Sequence, residues 1–267
     1  MGNAPTAQRE GRSLDTAWEA IFRYCKLVHY QFDTSPYTIT ATDIKSACQH
    51  LKKTGEKEVR ILCKQDTRDS RPSVFKERGL FLLPVKNGIY KIVKGEGYMD
   101  IPSIDGDADL YRGKLGFTLE SAKVGNSEMQ HLDFAYAQSV IRSFVGDDSL
   151  VLSIRGRKFT PQFSFRVGRF FIEVQSVQTE VDAGYEGVDT LVLVEAKNSK
   201  TDNTIIRQLY YPYRQWSQHV HKPVIMLFFE KRGRDYMIWQ YDFADKDDYN
   251  SVYLVKKGRY RVSPLSG

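Results

Sequence analysis

Apolar residues near the start of the chain recur at helical spacing. Leu14, Ala17, Trp18, Ile21, Phe22, Cys25 and Val28 follow the i, i+3, i+4, i+7 rule and predict an amphipathic helix. Ser35-Pro36 marks a turn. Thr40 and Asp43 then stand three apart ahead of Ile44, Ala47, Cys48 and Leu51, the arrangement of a capping box opening a second helix. Residues 58–64 read as a third helix and 71–78 as a short fourth, with Pro72 in its first turn. The period then changes to two. Residues 80–93 read as a hairpin around Asn87-Gly88, which supplies the positive φ angles of a type I′ turn.

The second half repeats this alternation of periods. Leu132, Tyr136, Val140 and Phe144 form one face of a helix over 127–144, with Ser127 as its N-cap. Residues 177–197 hold two strands around a polar, Gly-containing break. A helix over 203–216 follows, interrupted near Pro212. Residues 223–229 and 236–241 read as further core strands. Helix, hairpin, helix, strand, strand gives an α/β class (α+β over the whole chain): a mixed β-sheet flanked by helices.

The 177–197 hairpin carries the chemistry. If the turn centres on Val188 and Asp189, paired positions sum to 377, so Asp182 faces Glu195 and Glu180 faces Lys197. Facing residues have Cβ atoms about 4.5–5.5 Å apart. Asp189 lies six residues from Glu195, about 20 Å along a strand, too far to share an ion with it, and reads as a turn residue. Leu191-Val-Leu-Val194 is an unbroken apolar run, as in a buried central strand, and charges at the end of such a strand call for a partner. Asp182 and Glu195 would supply two oxygen ligands to Mg²⁺ (Mn²⁺ as substitute), with the Ala196 carbonyl as a third. Lys197 would orient or help deprotonate the attacking water, or neutralise charge at the attacked phosphate.

Asp182 followed by Glu195-Ala196-Lys197 resembles the active site of the PD-(D/E)XK nuclease superfamily, over roughly residues 115–245. Val181 stands where the nominal motif has proline. The resemblance implies a restriction-endonuclease-like core with Asp182 as first acid and Glu195-Ala196-Lys197 as the E-x-K element. Family members also place an acid on the helix before the sheet. Glu128 fits that role, or it simply favours the positive end of its helix. Gln208-Leu-Tyr-Tyr211 resembles the Q-x-x-Y element of some branches, in which the Gln helps arrange the site; otherwise it belongs to a surface helix with an aromatic stripe.

Composition narrows the class. Hydrophobic content of 41% and charged content of 27% are ordinary for a globular chain. No apolar run approaches the length of a membrane span, and no secretory signal is visible, so we expect a cytoplasmic, prokaryotic protein with no membrane contact. Residues 1–13 are small and polar and are expected to form a disordered tail. Cys25, Cys48 and Cys63 lack metal spacing and read as buried thiols in a reducing compartment. His219 and His221 read as a surface pair, and Gly88-Ile-Tyr90 as a hairpin turn rather than half of a GIY-YIG motif. No phosphate-cradling glycine loop is present, so nothing points to nucleotide hydrolysis.

Residues 1–98 hold 17 Lys+Arg against 11 Asp+Glu, which is the whole net charge of +6. Helices followed by a basic hairpin resemble a winged helix over 14–98, ahead of a catalytic domain over 99–267. Arg68, Arg71, Lys76 and Arg78 would lie on or before a recognition helix, with Lys86 and Lys91 on the wing. A helical packing domain with a solvated basic face is the other reading. The whole implies a Mg²⁺-dependent type II restriction endonuclease that cuts double-stranded DNA. It would act as a homodimer at least on DNA, with a cognate DNA methyltransferase acting separately. A structure-specific repair or junction nuclease, or a DNA-binding protein with an inactive nuclease domain, would share the fold.

Overall fold

The computed structural model describes residues 5–263, with side chains from Leu14 onward. Helix α1 spans Pro5–Tyr24 and ends where Lys26 takes a left-handed φ of 57°. Of the tail expected over 1–13, residues 1–4 lie outside the described residues, and the backbone from Pro5 belongs to α1. Strand β1 (Tyr37–Thr40), which the apolar pattern did not reveal, leads into α2 (Ala41–Ala47). The capping box is formed: Asp43 N donates to Thr40 Oγ1 at 3.1 Å, and Thr40 N donates to Asp43 Oδ2 at 2.9 Å. Single-turn α3 (Val59–Leu62) and short α4 (Ser73–Arg78) follow, then β2 (Leu80–Lys86) and β3 (Ile89–Lys94) around Gly88 at φ 71°. The three strands form an antiparallel sheet in the order β1-β3-β2.

Alternation along β2 sends side chains into two different cores. Leu80 and Leu82, with Ile92 of β3, pack on Trp18, Phe22 and Phe75 of the N-terminal helices. Phe81, Leu83 and Val85, with Val93 of β3, face the other way and join the core of the second half. The hairpin expected to project as a wing is therefore walled in on both faces, and its exposed part is the tip at Lys86 and Asn87. Cys48 is buried and Cys25 and Cys63 are half-buried, all three as free thiols.

The second half is built on a seven-stranded mixed sheet in the order β5-β14-β13-β12-β10-β9-β6. Its strands are β5 (Asp109–Arg112), β6 (Val151–Phe159), β9 (Gln178–Glu186), β10 (Leu191–Lys197), β12 (Val224–Arg232), β13 (Asp235–Phe243) and β14 (Val252–Ser263). The β10–β12 and β5–β14 pairs are parallel and the rest antiparallel. Helix α7 (Arg207–Trp216) connects β10 to β12 and covers one face, where Leu191, Leu193, Phe228 and Trp239 are buried. Helices α5 (Glu128–Ala137) and α6 (Val140–Val145) cover the other, over Val192, Val194, Leu227 and Ile238. The single helix expected over 127–144 is broken in two, because Ser139 takes a left-handed φ of 62°. Residues Asn203–Ile205, expected as helix, form a short strand β11 against β4 (Tyr98–Asp100). Helix α7 runs through Pro212 rather than breaking there. A separate hairpin, β7 (Phe163–Val167) with β8 (Phe170–Val174), packs between β2 and α7.

Candidate active site

The hairpin register is the one its turn dictates. Leu191 pairs with Glu186, Val192 with Tyr185, Leu193 with Gly184 and Val194 with Ala183. Gly187 N donates to the Thr190 carbonyl, closing the turn around Val188 and Asp189. Asp147 and Ser149 pin it from outside: Val188 N donates to Ser149 Oγ at 2.9 Å and Thr190 Oγ1 to Asp147 Oδ2 at 3.1 Å. Asp189 is exposed in this turn, away from the carboxylates at the other end of β10.

One step beyond the last pair, β9 bulges. Across from β6, Ile154 pairs with Gly184 and Gly156 with Val181, so β9 carries an extra residue at 182–183. A bulge of this kind re-aims a side chain. Here Ala196 N donates to Asp182 Oδ2 at 2.8 Å, which holds the carboxylate against the Glu195-Ala196-Lys197 backbone. Glu195 and Lys197 extend from the same face of β10, and Lys197 Nζ donates to Glu195 Oε1. The Glu195 side chain keeps 12% of its surface and that of Lys197 23%. The expected pairing of Glu180 with Lys197 does not form. Upstream of the bulge β9 pairs with β6, and Glu180 accepts from Arg157 Nε at 3.2 Å in solvent.

The electrostatics follow from crowding acids at a dry strand end. Burial pushes the Glu195 carboxyl up to about 7; Lys197 opposes this and Asp182 adds to it. Burial also raises Asp182; the Ala196 N–H and Lys197 work against that, and Glu128 and Glu180 with it. Burial disfavours the Lys197 ammonium, but Glu195, with Glu128 and Asp182 behind it, outweighs this and lifts its pKa above the ordinary value. Glu128, in the first turn of α5, thus belongs to the site electrostatically. Gln208 does not touch the acids; its Oε1 accepts from Thr204 Oγ1 within its own element junction. Among the described residues, no group of three or more His, Cys, Asp or Glu side chains converges as a metal cage.

Two acids had no signal in the pattern. Asp66 comes from the N-terminal half. Ile205 N donates to its carbonyl and Arg68 N to Asn203 Oδ1, so this loop is tied to β11. Its carboxylate then lies 3.6 Å from Arg207 and within electrostatic reach of Glu195. Glu230, the register partner of Lys197, is fully buried; it accepts from Thr201 N and pairs with Arg232. Burial raises its pKa, while Arg232 and Thr201 oppose that.

The cations named for DNA contact divide into two groups. Arg68 reaches Asp100, Glu96 and the Tyr98 carbonyl. Arg71 donates to the Arg68 and Leu80 carbonyls and lies over the Tyr98 ring. Arg78 donates to the Leu27 and Val28 carbonyls over Phe22. These three hold the N-terminal half together. Lys91 donates to Thr38 Oγ1. The side chains of Lys76 and Lys86 are exposed and make no hydrogen bond or ion pair among the described residues. Lys86 instead lines a cleft of about 270 Å³ between the two halves, together with Arg60, Lys64, Arg207 and Asp66.

Residues 93–261 match the family described as Domain of unknown function (DUF6997), and residues 15–92 match Domain of unknown function (DUF6996). The chain belongs to the DUF6997 family. Neither description carries an activity. No curated protein and no solved structure matches the chain. The boundary between the two matches falls inside β3. No helix among the described residues is long and apolar enough to cross a membrane.

Proposed function

We propose that the chain is a metal-dependent DNA endonuclease with Asp182, Glu195 and Lys197 as its catalytic set. The observation that carries this reading is the meeting of Asp182 with the Glu195-Ala196-Lys197 strand, fixed by the Ala196 N–H. The donor set suits a hard divalent cation. Asp182 keeps Oδ1 and Glu195 keeps Oε2 beyond their protein hydrogen bonds, and Mg²⁺ is commonly held by one or two carboxylates plus water and substrate phosphate. Two half-dry carboxylates with Glu128 nearby and one lysine leave uncompensated negative charge, which a dication would relieve. When bound, such an ion supplies positive charge to the attacked phosphate and acidifies the attacking water.

The rest is done by the chain. Asp182 and Glu195 would hold that ion, and the β9 bulge with the Ala196 N–H aims the Asp182 carboxylate at the Glu195 strand. Lys197, held cationic by its acids, faces the charge that develops on the phosphate oxygens. Glu128 caps the acidic cluster from α5 and would help place the water. The cleft of Arg60, Lys64, Lys86 and Arg207 offers phosphate contacts shared by both halves, and this supports a DNA-binding role for the N-terminal segment. Its helices and β1-β3-β2 sheet are compatible with a winged helix. A type II restriction enzyme acting as a homodimer beside a methyltransferase, in a prokaryotic cytoplasm, is the form we favour. A structure-specific nuclease is the second reading, because the hairpin that would serve as a wing is buried on both faces.

The test is digestion of plasmid DNA with Mg²⁺ or Mn²⁺ and mapping of the ends. Asp182→Asn and Glu195→Gln should each lower cleavage by about 10²–10³-fold or more, with binding in Ca²⁺ retained. Asp189→Ala should cut normally. Discrete ends support the restriction form and branch-dependent cutting the repair form; variants as active as the wild type would remove the catalytic assignment.

A further inference from the structure

A cleft of about 770 Å³ lies between α5 and the hairpin that joins β12 to β13. Arg112, Lys123, His131, Lys231 and Arg234 line it, and none of the described lining residues carries a carboxylate. Lys123 is paired with Glu120 and Lys231 reaches the Gly233 carbonyl. The guanidinium groups of Arg112 and Arg234 make no hydrogen bond or ion pair among the described residues, and both residues are exposed. Phe117, 59% exposed, stands at the same cleft without a ring partner among the described residues. Two guanidinium groups without a protein partner and an exposed ring beside a carboxylate-free cleft suit a ligand that is anionic and flat.

The cleft adjoins the catalytic strand. Lys231 follows Glu230, the residue that pairs with Lys197 in the parallel β10–β12 ladder, whose strands lie about 4.8 Å apart. Asn198, directly after Lys197, donates to the Asn126 carbonyl in the loop before α5. His131 stands one turn along α5 from Glu128. Lys231 lies on the α5 face of the sheet and Glu195 and Lys197 on the α7 face, so a strand held at the acids would round the end of β10 at Asn198, past Glu128, to meet this cleft. Its volume lies within the range of pockets that take individual small ligands, so it has room for single nucleotides.

We infer that this cleft binds a single-stranded segment of nucleic acid leaving the scissile phosphate, with phosphates on Arg112 and Arg234 and a base stacked on Phe117. The inference rests on the nucleic-acid reading of the catalytic site in its second, structure-specific form, since an intact duplex offers no single strand at the cut. A positively charged groove with a stacking platform is how single strands are bound without sequence preference.

The experiment is fluorescence anisotropy on the full-length protein, in Ca²⁺ at fixed salt. The probes are a labelled oligothymidylate and a blunt duplex of the same length. The wild type should bind both. Arg112→Ser with Arg234→Ser should weaken the single strand by about tenfold or more and the duplex by less than about twofold. Phe117→Ala should weaken the single strand by roughly fivefold or more. Near-UV circular dichroism checks that these exposed substitutions leave the fold intact. A wild type that ignores the single strand, or variants in which both probes weaken alike, would overturn the inference. Cleavage is scored separately with Asp182→Asn, so loss of the catalytic reading and loss of the cleft give different results.

Discussion

Asp182 and Glu195 could be paired from the sequence because a hairpin needs only its turn centre to set its register, and Gly187 with Val188-Asp189 marked that centre. Glu180 could not, because a bulge is invisible in an apolar pattern and moved that residue to Arg157. Arg68, Arg71 and Arg78 read as a basic face, yet their guanidinium groups bind backbone carbonyls and carboxylates inside the fold. A charged side chain looks the same in sequence whether it meets solvent or a carbonyl. Asp66 was silent for a different reason: its relation to Glu195 exists only after two distant segments meet. Asp235 gives a prediction at this scale. It is buried and held by Arg259 and Arg261, each within 2.6 Å, which keeps its carboxyl below the usual range. A carboxyl lowered in the folded state contributes stability above its unfolded pKa of about 3.9 and loses it as pH falls through the folded value. Asp235→Asn should therefore cost roughly 1–2 kcal/mol at neutral pH, discounted because both arginines are partly in solvent. In urea titrations its deficit should close progressively below about pH 4; a deficit unchanged down to pH 2 would mean that packing, not charge, is what the aspartate contributes.

Elements with strong period or a capping signal were legible; those defined by a partner were not. The Thr40/Asp43 box and the Asn87-Gly88 turn stand where the local chemistry put them. Strand β14, with Lys256, Lys257, Arg259 and Arg261 among its residues, hides its strand character because much of it faces solvent. The β7–β8 hairpin alternates clearly around Gly168 but carried no functional motif to draw attention to it. The break at Ser139 depends on how α6 must turn to cover Tyr185 and Ile238, which no local residue announces. Gly184 links element to site. A Cβ placed there would lie 2.7 Å from Ile154 Cβ, which is fixed to the β6 backbone, and 3.1 Å from the side-chain tips Ile154 Cδ1 and Leu193 Cδ2. Gly184→Ala should lower stability by about 1–3 kcal/mol, read from the urea midpoint. It should also reduce cleavage more than Asp189→Ala does, because it pushes β9 away from β6 at the bulge that aims Asp182. Wild-type midpoint and activity in Gly184→Ala would show that the strand relaxes without consequence.

Across the whole molecule, the division into a basic front segment and a catalytic segment described the charge but not the packing. Phe81 of the front half stacks on Tyr249 at 5.9 Å, and Tyr249 on Phe165 at 5.7 Å, in a core that runs on to α7. Tyr211 of α7 donates to the Pro84 carbonyl across the same seam. Phe81→Ala should cost about 3–5 kcal/mol. Because the core is shared, Trp18→Phe and Trp239→Phe proteins should each unfold in one transition, with tryptophan fluorescence and far-UV circular dichroism giving the same midpoint within each protein. Two separated midpoints would show that the halves melt independently.

Strand β3 has Ile92 turned to one core and Val93 to the other, and the border between the two matched families passes between those very residues. It behaves as a party wall, shared by two rooms and owned by neither. Cutting the gene there would leave each fragment with an oily surface and half a ladder. Each segment therefore needs the other to close its core, whatever reaction they serve.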